Sequence, residues 1–194
     1  MTTTARSFTW NAELLDQLEF HWNGQLRPRL EGISQDEFEW EPVPGMWSVR
    51  RRGTAGPAEP LGRGEWVMDF GRPEPDPPPA TTIGWRLNHL LQVLGIRSAS
   101  HFGRAPVDYD TYPYAGDPAT AIRQLDAEHD AWVDGVRALG EEGLARACGP
   151  AEGPFAEEPL AVLVLHIHRE VIHHGAEIAL LRDLYPHRTD RKAR

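Results

Sequence analysis

From about Pro159 to Tyr185 the sequence is rich in Leu, Ile, Val and Ala, with Pro186 just past its end. A segment this long and this apolar is not a strand, and a helix of such composition has to be covered by other helices. That need constrains the rest of the chain, and three further segments meet it. Thr9 caps a helix from Trp10 to about Leu30, on which Leu14, Leu15, Leu18, Trp22 and Leu26 recur at helical spacing. Pro28 lacks the amide that would bond back one turn, so it bends or ends this helix. Thr81 or Thr82 caps a second helix to about Ser100, with Ile83, Leu87, Leu90 and Leu94 on its core line. A third opens at Asp117-Pro118, carries Ile122, Leu125, Trp132, Val136 and Leu139, and ends at Gly140.

Four helices of about 20 residues each predict an all-α four-helix bundle with one long crossover. The crossover, Glu41 to Pro79, joins the first two helices after a short helix that Ser34 and Glu37 box and that runs through Trp40. Within it, Trp47-Ser48-Val49 and Trp66–Phe70 alternate weakly, enough for a small β-hairpin across the Gly/Pro-rich stretch Gly53–Gly64. Pro73–Pro79 is a proline-rich connector. So much apolar surface predicts that Trp47–Val49 and Trp66–Phe70 pack on the helices as a cover, with Gly53–Gly62 mobile. No second core is visible, so residues 1–194 read as a single domain.

The formal charge of −9 argues against binding a phosphate backbone, so no nucleic-acid partner is expected. The longest apolar run, Leu160–Leu165, is far short of a bilayer span, and Met1–Phe8 has no apolar segment of the signal-peptide kind. One cysteine, Cys148, allows no disulfide framework and fits a reducing compartment. These features together predict a soluble, cytoplasmic protein without a membrane partner.

Chemistry concentrates on the fourth helix. One line of its surface runs Leu163, Ile167, Glu170, His174, Ile178, Leu181, so a carboxylate and an imidazole interrupt an apolar stripe. Such groups are costly inside a protein unless paired or bound to a metal, and a spacing of four aims both at one point. The best third ligand is His89 on the second helix, beside Leu90-Leu91 and close to Trp85 and Gln92. Two imidazoles and a carboxylate suit Zn²⁺, Ni²⁺ or Fe²⁺, and three protein ligands leave a coordination position open. His129, His166 and His21 compete as ligands or as buried polar residues. His168, His173 and His187 read as solvent-facing or peripheral, and His101 as ambiguous. The structural alternative pairs Glu170 and His174 with Arg169 or His166 and needs no ion.

The pattern resembles the DinB-like bundles, which include the metal-binding domain of mycothiol-dependent maleylpyruvate isomerase and the bacillithiol-related transferases. It rests on His89 in Leu87-Asn88-His89-Leu90-Leu91 and on Glu170-x-x-x-His174 followed by Gly175 and Leu181-Arg182-Asp183. It extends from about Leu14 to Tyr185 and includes the Pro-Gly-x-Trp-Ser turn at Pro44–Ser48. Many members have histidine where this chain has Glu170, and the glutamate form looks like the mycothiol-linked branch. The resemblance implies metal ligation by His89, Glu170 and His174, with zinc foremost. It also implies a low-molecular-weight thiol such as mycothiol as cofactor, a small-molecule substrate, and a homodimer. The isomerase has a further domain contributing to catalysis and this sequence stops at Arg194, so that specific activity is not expected to carry over, and the expectation is a thiol-dependent transferase or isomerase as a class. A metal-dependent hydrolase and a non-enzymatic, stress-related metal-binding bundle are the other readings. For the thiol, Arg86, Arg97 and Arg169 are the available cations.

Overall fold

The structure is a computed structural model and describes residues 8–73 and 75–188. It is mostly helical, with one small sheet. Thr9 starts α1 (Trp10–His21) as expected, its hydroxyl accepting the Ala12 amide at 3.2 Å. The helix continues through a π-helical stretch, Trp22–Leu26, into the short α2 (Arg27–Arg29). The Arg27 amide bonds to the Trp22 carbonyl, five residues back. The bend expected at Pro28 takes this form: the helix admits one extra residue where proline brings no amide of its own. Ser34 caps α3 (Gln35–Phe38).

The crossover departs from the sequence expectation. Three strands form where a two-stranded hairpin was expected: β1 (Val49–Arg51), β2 (Glu59–Leu61) and β3 (Trp66–Phe70), in the order β1-β3-β2, all antiparallel. Val49 and Leu61 both face Met68 across the ladders. The stretch expected to be mobile, Gly53–Gly62, therefore contains β2, and the chain is not wholly α. The sheet is fastened to the helices. Trp47 exchanges backbone bonds with Ala80 and Thr82, both 2.9 Å, and the Trp85 indole donates to the Asp69 carbonyl at 2.8 Å.

Thr82 caps α4 (Ile83–His101), and Asp117 caps α5 (Pro118–Leu144) with Pro118 in its first turn. Gly140 breaks α5 at φ 59, a left-handed conformation that glycine adopts without strain. A 3₁₀ segment, Pro150–Phe155, leads to α6 (Leu160–Leu184). Helix α4 lies against α5 and α6, and α1 against the same two. The approach of α1 to α6 is close at Gly175, where a Cβ would stand 2.9 Å from His21 Nε2 and 3.1 Å from Leu26 Cδ2. The expected stripes are inside: Leu87, Leu90, Leu94, Leu125, Trp132 and Val136 are fully buried, as are Val164 and Ile178. Each such side chain contributes roughly 1.5–3 kcal/mol by leaving water. The buried side chains form one cluster that also takes in Trp47, Val49 and Met68 from the crossover. Among the described residues no helix is long and apolar enough to cross a membrane.

Candidate metal centre

His89 is followed directly by Leu90 and Leu91, both fully buried, so its own direction is oblique to the core and towards α6. There it meets Glu170 and His174, one turn apart. Both rings point Nε2 at the same carboxylate oxygen, Oε2 of Glu170, at 3.5 Å from His89 and 3.5 Å from His174. The three ligand atoms lie within 4.8 Å of one another. Donors about 2.0–2.1 Å from one tetrahedral ion stand roughly 3.3 Å apart, so the two measured separations fit a shared ion. They are long for direct hydrogen bonds. The donor set and its spacing therefore fit a divalent metal.

The charges fit as well. The close approach of His174 and then His89 holds the Glu170 carboxyl far below the usual carboxylate range, against the opposing effect of burial. Burial pushes His174 down, outweighing the nearby Glu170 carboxylate, so near neutral pH it is the uncharged imidazole that a metal needs.

Each ring is also held from behind. Glu177 Oε2 takes Nδ1 of His174 at 2.7 Å and contacts the half-buried Arg86. Burial pushes the Arg86 guanidinium down to about 10, so it stays a cation. The Gln92 amide lies 3.1 Å from Nδ1 of His89 and 2.7 Å from the Tyr114 hydroxyl, which reaches the Tyr109 carbonyl at 2.9 Å. Trp85 stacks on His89 with ring centres 5.0 Å apart and ties it to β3. A carboxylate or amide behind a histidine fixes which ring nitrogen is free, and such partners matter nearly as much as the ligands. Sequence reasoning missed these partners. The signal was present: Gln92 and Glu177 each follow their histidine by three residues, on the same face.

The other histidines fall elsewhere. His166 is at the edge of the cluster, with Nδ1 3.6 Å from Glu170 Oε1 and 2.7 Å from an Arg169 nitrogen. The ion-free alternative gains only that peripheral contact, since Arg169 turns to His166 and not to Glu170. His129 is buried, stacked on Trp22 at 4.0 Å, and His21 is buried beside Gly175. His101 pairs with Glu152 at 2.9 Å. His173 is exposed beside Glu177, and His187 is exposed. His168 corrects its expectation: it is buried, with its ring near Trp132.

The family model of the DinB superfamily matches residues 65–178. The chain belongs to the DinB superfamily. The matched span begins just before β3 and contains all three residues of the cluster, so the DinB match and the geometry select the same two helices. No curated protein and no solved structure matches this DinB chain.

Proposed function

We propose that this DinB-superfamily chain is a metal-dependent enzyme in which His89, Glu170 and His174 hold one divalent ion, zinc foremost, with nickel and iron also suited to the donors. The observation that carries the reading is the convergence of two Nε2 atoms on one Glu170 oxygen, each 3.5 Å away. An ion held by this set supplies Lewis acidity that lowers the pKa of a thiol or water brought to it. The protein's own part is to keep the site ready. Glu170 stays ionised and compensates charge, Glu177 and Gln92 hold the two rings, and burial keeps His174 neutral. The substrate is a small molecule, and the reaction is transfer or isomerisation assisted by a low-molecular-weight thiol such as mycothiol. The His-Glu-His donor set, like that of the thiol-linked branch, supports this.

The packing of α1, α4, α5 and α6 around one buried cluster supports reading the helical part as a single four-helix bundle domain. The free Cys148 supports a reducing, cytoplasmic setting. Exposed Leu165, Ile172 and Leu180 along the outer side of α6 support a homodimer, to be checked by sedimentation. The test of function has two arms. Metal analysis is expected to find close to one divalent ion per chain, lost in His174→Ala. Turnover of a panel of electrophiles is expected only with both thiol and metal present. Full occupancy in a triple alanine variant of His89, Glu170 and His174 would sink the site, and metal binding without any turnover would leave a binding module.

A further inference from the structure

The seam between α4 and α6 does not stop at the metal cluster. On α4, His89, Val93 and Arg97 follow one another at single turns; on α6, Val162, His166, Glu170 and His174 do the same. Beyond His166 the seam opens into a cavity of about 490 Å³, closed on its far side by the Pro150–Phe155 segment. That volume is in the range of small-ligand pockets, about 300–1,000 Å³. Its apolar wall comes from Phe155, Val162, Leu163 and Leu165. Cys148 adds to that wall, because burial pushes its thiol up and keeps it neutral.

Arg169 stands at the end nearer the cluster, next in sequence to Glu170, and Arg97 stands against the Pro150–Phe155 segment. Arg97 Nε lies 3.1 Å from Glu152 Oε1 as an ion pair, and that nitrogen has no hydrogen-bond partner among the described residues. Arg169 bonds only to His166, and no carboxylate among the described residues pairs with it. Glu152 is buried and already shared between Arg97 and His101. The remaining carboxylate, Glu158, lies before the start of α6, whereas Arg169 is nine residues into it, roughly 13 Å along the axis. The cavity is thus polarised, with the Arg169 guanidinium beside the cluster, an apolar middle, and a far side where Arg97 is paired with Glu152 and Glu158 adds a further acid.

Resting on the metal-centre reading, we propose that this cavity is the substrate subsite and takes a small molecule with an apolar body and a single carboxylate. The carboxylate meets Arg169, next to His166. The body lies along Leu163, Val162 and Phe155, and Glu158 disfavours a second anion at the far end.

The experiment is calorimetric titration of octanoate, octanamide and suberate into the full chain, zinc-loaded and metal-free. Octanoate is expected to bind the zinc-loaded protein more tightly than either analogue. Arg169→Gln should weaken octanoate about tenfold and leave octanamide within about twofold, since only the charged head uses the guanidinium. Val162→Trp, at a half-exposed position that folding tolerates, should weaken both by filling the cavity. Metal content is measured in every sample. Undetectable octanoate binding, or binding unchanged in both variants, with metal retained, overturns the subsite alone. Octanoate binding that responds to both variants in a protein that holds no metal overturns the metal centre and leaves the subsite standing.

Discussion

Lowering the pH from 7.5 to 5.0 should destabilise the metal-free protein by about 2 kcal/mol through His168 alone. The ring is buried beside Trp132, with no hydrogen-bond partner for Nε2, and burial followed by the proximity of His129 pushes its pKa down to about 4. In the unfolded chain it returns to about 6.5. At pH 7.5 the ring is neutral in both states and contributes nothing. Below 6.5 the unfolded chain binds a proton that the folded chain refuses, so stability falls as pH drops and levels off only near 4. Integrated to pH 5.0, the difference is about 2 kcal/mol. His129 and His174, also pushed down chiefly by burial, act with the same sign, whereas the depressed Glu170 loses its contribution only below about 4.5. The assay is urea unfolding with chelator present, in wild type and in His168→Leu. With a slope near 2–3 kcal/mol per molar, His168 accounts for a midpoint shift of roughly 0.7–1 M between the two pH values. Equal pH dependence in wild type and His168→Leu would refute the burial argument.

At the cluster, Glu170→Gln keeps the shape and removes the compensating charge, so metal affinity should fall at least about tenfold, or 1.4 kcal/mol, in a chelator competition. An unchanged affinity would hand the third-ligand role to His166. Glu177→Ala and Gln92→Leu leave all three ligands in place yet should each weaken the metal by about 10–100-fold. Equilibrium dialysis reads this, and wild-type affinity in both would mean that the bonds behind the rings are incidental. Hydrogen exchange should show β3 protected, since it pairs on both sides. Fast exchange across the whole of Trp47–Phe70 would mean that the crossover makes no ordered cover.

What the sequence disclosed and what it hid have physical causes. Helix starts were legible because Thr9, Ser34, Thr82 and Asp117 each cap by a local rule, a side-chain oxygen taking an amide three residues on. The grouping of His89, Glu170 and His174 was legible because two of its members share one helical face. Strand β2 was not, for it holds Pro60, which cannot donate to a ladder. It is tolerated because β2 is an edge strand, so only one side of it has to pair. His168 was misplaced because α6 is apolar on its outside too: Val162, Leu165, Ile172 and Leu180 are exposed. With no polar face to mark solvent, periodicity cannot say which way a histidine points. The cavity was illegible for a different reason, since Arg97, Glu152 and His166 are distant in sequence and meet only through the seam.

The two histidines are held by unlike partners, and the difference bears on how the site changes with its ion. Glu177 is an acceptor only, so His174 keeps its proton on Nδ1 and its lone pair on Nε2 at all times. Gln92 carries both an acceptor and a donor, and it turns either end to Nδ1 of His89. When its NH₂ faces His89, the proton sits on Nε2 and meets Glu170, and the Tyr114 hydroxyl gives its single proton to Gln92. A ligand role for His89 requires the other arrangement. Nδ1 then donates to the Gln92 oxygen, the amide donates to Tyr114, and Tyr114 donates to the Tyr109 carbonyl. The buried Gln92 keeps a partner at both ends in either state, and the exchange changes only whether Tyr114 donates to Gln92 or to the Tyr109 carbonyl. If the proposed ion binds here, His174 is set for it by Glu177, and His89 reaches the ligand tautomer by a half-turn of the Gln92 amide.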